Sequence, residues 1–342
     1  MNMEKQKFYI IALNMEFRGL ISIVTSVMNH VIYGYQNNFI SVVDLKHYNN
    51  MYFKQNKAYR DNSWEYFFKQ PCYKSLKDVE NNEDIDVVIS KNTHNAGTVF
   101  DFNIEQIPVN IVCHDKKILK IKDYYKQFLH FSDELQTWLD EKLNLFAKSN
   151  NLESNMSSRV LGVLCRGTDY TERKTPGHPI QPNVKNLIND IKNFLKKHPH
   201  VERIYLATED AAIYNKFKKE FGDTLLDNEQ YMYNQNEEEK HQLLGEIKTE
   251  RVNHHYNLAK EYLFSLYLLS KLDFFIAGRC NGSAFVWLLS EGFKYMYIYK
   301  LGTYPPFNKQ YNLFERFFSI KKDYEKKLNV ITILGIKIKF HF

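Results

Sequence analysis

At 342 residues the chain is longer than one hydrophobic core serves, so two domains are expected. Its 44% hydrophobic and 25% charged residues, with only 13 Gly and 8 Pro, exclude low-complexity and fibrous classes. Forty-six Lys+Arg against 40 Asp+Glu leave a net charge of +6, which favours an anionic ligand or lipid surface and is too small to imply nucleic acid.

Cys72, Cys113, Cys165 and Cys280 lie far apart, with neither metal-ligand nor redox spacing, as free thiols in a reducing compartment would. The amino terminus lacks the apolar core of a signal peptide, and no apolar run is long enough to span a bilayer. A cytoplasmic protein is therefore expected, and the sequons at Asn155 and Asn281 read as chance matches.

Phe8 to Leu13 reads as a short strand, followed by a turn through Arg18-Gly19. A helix follows, with Leu20, Ile23, Val27, Val31 and Tyr35 on one face, and then a second strand from Phe39 to Leu45. This is a βαβ unit, and its single glycine argues against a dinucleotide fingerprint. Trp64 to Phe68 forms an aromatic packing segment, Asp86 to Ser90 a strand, and Ile118 to Leu145 a largely helical stretch that closes a first domain over 1–150. Lys148 to Ser158 is the polar linker.

The second half, 151–305, alternates more clearly. Val160 to Cys165 is an apolar run that delivers Arg166-Gly167-Thr168-Asp169 at its carboxyl end, where open α/β sheets bind ligands. A helix from Pro182 to Leu195 precedes a strand from Arg203 to Thr208, and Ala211 to Phe221 is a helix closed near Gly222. Leu225-Leu226 is a short strand, and Asn228 to Asn253 is a polar, irregular loop. Then come a helix from Ala259 to Lys271, a strand from Asp273 to Ala277, a helix from Ser283 to Leu289 and a strand from Tyr295 to Tyr299. The pattern is α/β, with two doubly wound domains facing one another. Residues 306–342 form a basic extension ending in Ile336-Lys337-Ile338-Lys339-Phe340-His341-Phe342. That alternation fits a terminal edge strand, the other reading being peripheral contact with the inner membrane.

Three strand ends converge in such a sheet: Arg166 to Asp169, Thr208-Glu209-Asp210, and Gly278-Arg279-Cys280-Asn281-Gly282-Ser283. A guanidinium matches a phosphate, and Gly167 allows close backbone approach. The plain alternative is a solvated Arg–Asp pair. The Gly278–Ser283 turn places N–H groups and a hydroxyl at a helix amino terminus, an anion site, or else a simple turn capped by Asn281 or Ser283. Together with Arg166, a diphosphate between the two is the better account. Glu209-Asp210 offers acceptors to a base or ribose, or caps the next helix. Asp84-Ile85-Asp86 precedes its strand and reads as surface, and His254-His255 has no partner at ligand spacing, so no metal is expected.

The ordered motifs Arg166-Gly167-Thr168-Asp169, His178-Pro179-Ile180, Tyr205 to Asp210 and Leu268 to Ile276 resemble the α-1,6-fucosyltransferase and NodZ-like family, within it the bacterial capsule and surface-polysaccharide branch. Gly19 before a helix carrying Asn29-His30, Val43-Asp44-Leu45, and Trp64 to Pro71 extend the likeness over Arg18 to Tyr304. The resemblance implies a GT-B-like fold with a C-terminal Rossmann-type donor domain and an N-terminal acceptor-side domain. It also implies metal-independent inverting transfer from GDP-fucose or a related GDP-sugar, with no cofactor, to a glycan or lipid-linked oligosaccharide. Arg166 matches the arginine holding the β-phosphate, Asp169 an essential acidic residue, Asp210 one of an acidic pair, and Asn281 to Ser283 the donor loop. The catalytic set is then Arg166, Asp169 and Glu172. The donor set is Arg166, Gly167, Thr168, His178, Glu209, Asp210, Arg279, Asn281, Gly282 and Ser283.

Two departures stand out. The glutamate proposed as base in the animal enzymes, eight residues past the arginine, is Lys174 here, and the first position of their His-x-Arg is Leu164. Glu172 or Asp169 takes the base role in this reading. A non-catalytic nucleotide-sugar or glycan binding module is the alternative from another class. A hydrolase or kinase lacks its Gly-x-Ser-x-Gly or P-loop here.

Overall fold

The computed structural model describes residues 6–54, 61–81, 85–109, 113–227, 230–234, 244–247, 249–305, 318–323, 328–333 and 336–341. Lys7–Ala12 (β1), Leu20–Gln36 (α1) and Ile40–Asp44 (β2) form the expected βαβ unit. Leu76–Glu80 (α2) starts at a Ser75–Asp78 capping box, and Asp86–Ile89 (β3) joins the far side of β1, giving a parallel sheet of order β2-β1-β3. The pleat of β1 divides its side chains between two layers. Phe8 and Ile10 pack with Val42 and Leu76, while Tyr9 and Ile11 join the core that contains α1.

The helical stretch expected over Ile118–Leu145 is two helices, Lys116–Phe128 (α3) and Asp133–Ser149 (α4). The break follows from the aromatic segment opposite. The Lys69 N–H donates to His130 O at 2.9 Å and the Ser132 N–H to Phe67 O at 3.0 Å, so these backbone groups pair across space rather than along a helix. Ser132 then caps α4, its Oγ accepting the Leu135 N–H at 3.3 Å. Met156–Arg159 (α5) is one helical turn running into the next strand, which shortens the expected linker to Asn150–Asn155.

Val160–Leu164 (β4), the short Thr168–Glu172 (α6), Val184–Lys197 (α7), Arg203–Ala207 (β5) and Ala211–Phe221 (α8) follow. Next come His254–Ser270 (α9), Phe274–Ala277 (β6), Asn281–Leu289 (α10) and Tyr295–Ile298 (β7). The four strands are parallel in the order β5-β4-β6-β7. Asn183 rather than Pro182 stands at the start of α7, accepting the Lys185 N–H at 2.9 Å. Leu225 makes only one bridge, to Ile204, so the expected strand there is not formed. Helix α9 begins five residues before Ala259, because buried His254 anchors its first turn to Tyr233.

Residues alternate between two layers across this sheet as well. Leu161, Val163, Ile204 and Leu206 face α7 and α8, while Leu164, Tyr205 and Phe275 face α9 and α10. The chain is thus α/β with two parallel, doubly wound sheets, the GT-B-like architecture that the resemblance implies. Phe318–Asp323 (β8), Leu328–Ile333 (β9) and Ile336–His341 (β10) form a separate antiparallel sheet of order β10-β9-β8. Its β10 is the expected edge strand, and β8 and β9 were not anticipated. Among the described residues no helix is long and apolar enough to cross a membrane.

One core runs through both halves, from Ile11 and Val27 to Leu263 and Phe285. A continuous core couples the halves, so denaturant should unfold them in one transition. Leu263 is fully buried within it. Leu263→Ala should cost about 2–5 kcal/mol and move the whole urea transition, read by near- and far-ultraviolet dichroism together. Two separated transitions would contradict a shared core.

Candidate active site

In each parallel sheet the chain leaves its central strand toward both sides, creating a switch point between β1 and β3 and another between β4 and β6. Ligands of such sheets bind beyond the carboxyl ends of the strands at that place. Arg18-Gly19 follows β1, His94-Asn95 follows β3, Arg166 follows β4 and Cys280-Asn281-Gly282 follows β6. All of them line one cavity of about 770 Å³. The two switch points therefore open into the same space.

Arg166 lies in the wall of this cavity, with its side chain 16% exposed. Its Nε is 3.1 Å from Glu209 Oε1, and its guanidinium carbon stands 4.7 Å from the centre of the Tyr170 ring. The same Glu209 oxygen accepts the Gly167 N–H at 3.0 Å and the Thr168 hydroxyl at 3.1 Å. Thr168 is buried and has φ of 45°, a conformation costly for a β-branched residue. Its N–H donates to Asp210 Oδ2 at 3.2 Å, so two carboxylates at the end of β5 hold the strained turn.

These contacts reassign several expected donor residues. Asp210 caps α8, its Oδ1 accepting the Ala212 and Ile213 N–H groups at 2.8 and 3.0 Å. It is not among the cavity-lining residues, so the capping reading is the observed one. Glu209 does line the cavity, but its carboxylate serves the Arg166 loop. Gly167 is required because a Cβ there would collide with Asp210 and Ile213, so its close approach is to β5's end. Arg279, 2% exposed, turns away to the first half. It meets Glu105 Oε2 at 2.7 Å and the Ile107 carbonyl at 3.3 Å.

The amino end of α10 is capped by neither Asn281 nor Ser283. Cys280 is the capping residue, its Sγ accepting the Ser283 N–H at 3.4 Å while the Ser283 Oγ accepts the Cys280 N–H at 2.9 Å. Fully buried Ser283 is thereby used internally, and Cys280, Asn281 and Gly282 are the turn's contribution to the cavity wall. A Cβ on Gly282 would collide with the Tyr262 hydroxyl. Burial pushes the Tyr262 pKa upward, so that hydroxyl stays neutral. His178 lines the outer wall, its ring 5.6 Å from Tyr170. Glu172 is exposed and lies outside the lining, and the Asp169 side chain lies outside the described set.

Several lining residues escaped the sequence reading. Arg18, Arg173, His94, His255 and Tyr262 all face this space. Arg18-Gly19 at the start of α1 was the legible signal, being the counterpart in the first sheet of Arg166. Three arginines line the cavity against one carboxylate among the described residues, Glu209, so its walls are electropositive. Burial and the nearby Arg18 hold the His94 pKa down, and burial does the same for His255, leaving both rings neutral near neutral pH. Asp86 opens β3 and is exposed, while Asp84 lies outside the described residues.

His254, beside this wall, pairs its Nε2 with the Tyr233 hydroxyl at 2.9 Å. Burial, then His255 and Arg251, lower its pKa to about 4. The unfolded chain takes up this proton first as pH falls. Stability from the neutral ring is therefore complete above the ordinary value of 6.5 and is lost as pH drops toward 4. His254→Phe should flatten the acid decline of the urea midpoint between about pH 6.5 and 4. An unchanged slope would place the linkage elsewhere.

A scan against protein-family models and a search of curated proteins find no match. Similar solved structures include NodZ α-1,6-fucosyltransferase soaked with GDP-fucose, 11% identical with a TM-score of 0.42 over 83% of this chain and 93% of that one. NodZ from Bradyrhizobium gives 11% identity and a TM-score of 0.44 over 89% and 98% of the two chains. POFUT1 in complex with GDP-fucose gives 10% identity and a TM-score of 0.44 over 82% and 94%. At such identities and with TM-scores below 0.5 the likeness carries no argument about chemistry, which has to come from the site.

Proposed function

We propose that the chain is a glycosyltransferase, moving fucose or a related sugar from a GDP-sugar to a hydroxyl of a bacterial surface or lipid-linked glycan, with inversion and without a metal ion. One observation carries this reading. Arg18, Arg166 and Arg173 converge with the amino end of α10 on a cavity between two sheets whose one described carboxylate is already bound to Arg166. Such a wall needs a compact polyanion, and a diphosphate supplies it. The choice of GDP and of fucose comes from the ordered motifs that resemble the fucosyltransferase family.

In this mechanism the acceptor oxygen bonds to the anomeric carbon as the carbon–oxygen bond to the β-phosphate breaks. The electron pair leaves with GDP. Arg166 and the α10 amides stabilise the charge that develops there, held in place beforehand by Glu209 and the Cys280–Ser283 capping box. The acceptor proton passes to a carboxylate in hydrogen-bond reach, for which we nominate Asp169, since Glu172 is exposed and lies outside the cavity lining. One other reading is a non-catalytic nucleotide-sugar binding module, since Glu209, the described carboxylate of the wall, is engaged by the Arg166 loop.

GDP should raise the melting temperature in the presence of a chelator, by the equivalent of about 2.7 kcal/mol at a hundredfold excess over Kd. Arg166→Ala should abolish that shift. Asp169→Asn should keep the shift and lower transfer by about 10²–10⁴-fold, as seen by mass spectrometry of the glycan product. No shift with GDP, UDP or ADP would overturn the proposal, and a GDP-sugar that binds but is never turned over would select the binding module.

A further inference from the structure

We infer that the sheet formed by β8, β9 and β10 is a docking face for an anionic lipid bilayer. Its register makes it two-faced. Phe318, Ile333 and Ile336 lie in one cross-strand row, and Ile320, Ile331 and Ile338 in the next row on the same face. Phe340 continues that face, opposite Asn329, with Lys322 beyond it. The alternate rows place Lys337 with Thr332 and Ser319, and Lys339 with Val330 and Lys321, on the other face. Ile333 and Ile338 are 47% and 51% exposed, and no other helix or strand among the described residues packs on this sheet beyond marginal contact. Exposed isoleucines on neighbouring strands of one apolar face call for an occupant.

Charge decides which occupant. Residues 306–342 contain eight Lys and Arg against three Asp and Glu, a net of +5 out of +6 for the whole chain. The described strands alone carry four Lys against one Asp, so a second copy seated on the same face would bring +3 against +3. Anionic headgroups instead neutralise that charge while the acyl boundary receives the exposed isoleucines, Ile333 and Ile338. The sheet plane would lie about 5 Å from the contact, half the usual sheet-packing distance, which is inside the Debye length of about 8 Å. Lysines on either face therefore feel the surface potential. Docking there adds to the proposed function by holding the cavity at a membrane where a lipid-linked acceptor resides. It is read out without sugar or nucleotide, so its failure leaves the donor reading intact.

The test is flotation of the full chain with vesicles of phosphatidylcholine alone and of phosphatidylcholine mixed with phosphatidylglycerol. Binding is expected only to the mixed vesicles and should weaken as salt is raised. Ile333→Glu/Ile338→Glu should weaken it about tenfold or more, and Lys337→Gln/Lys339→Gln should reduce it from the opposite face. Both variants should keep the wild-type melting temperature, which separates lost docking from lost folding. Failure of the wild-type chain to float with mixed vesicles would overturn the inference, as would undiminished binding by the folded isoleucine variant. A concentration-dependent dimer that the same variant abolishes would also overturn it and assign the face to a second copy.

Discussion

The candidate site depends on one buried carboxylate. Glu209, at the end of β5, is 4% exposed, accepts from the Gly167 amide and the Thr168 hydroxyl, and stands 3.1 Å from the Arg166 Nε as its ion-pair partner. A carboxylate is tolerated at such depth only when it is paired and hydrogen-bonded, and here each partner belongs to the loop that leaves the neighbouring strand. The arrangement works in both directions. The loop satisfies the charge, and the charge holds Thr168 in a backbone conformation it would otherwise leave. Arg166 is thereby oriented before any ligand arrives, which is what electrostatic stabilisation of a departing group requires.

That orientation has value because the carboxyl ends of both sheets line the same cavity. Arg279, from the loop after β6, crosses to Glu105 and the carbonyls beyond it. It is a strut between halves instead of a ligand contact, and its burial makes the pairing more consequential than surface pairs such as Lys126–Glu291. Helix α4 packs on α9, and α1 and α3 pack on α10, so the core beneath the cavity is continuous. The third sheet has its own two-faced pattern, and its strands carry four Lys against one Asp.

Much of this was legible in the residues. Alternation and helical spacing located the seven strands of the two parallel sheets within a residue or two, because a pleat and a 3.6-residue turn impose periods on any sequence that must bury one face. The short apolar run ending in Arg166 marked the carboxyl edge of a sheet for the same reason. Arg18-Gly19, the matching element of the first sheet, shows the same signal, but only the apposition of two switch points shows that it opens into the same cavity.

What each polar residue does was a tertiary decision. Glu209, Asp210, Arg279 and Ser283 all sit at strand ends or helix starts, where ligand binding and capping call for identical residue types. Geometry alone separates the uses: Asp210 caps α8, Ser283 completes the capping box that Cys280 opens on α10, Arg279 reaches the other half, and Glu209 holds the Arg166 loop. The break between α3 and α4 is of the same kind, since it is set by backbone pairing with an aromatic segment some sixty residues earlier in the chain. Local periodicity determined where the elements lie. Contacts between residues distant in sequence, which no local pattern encodes, decided which of their side chains remain to meet a ligand.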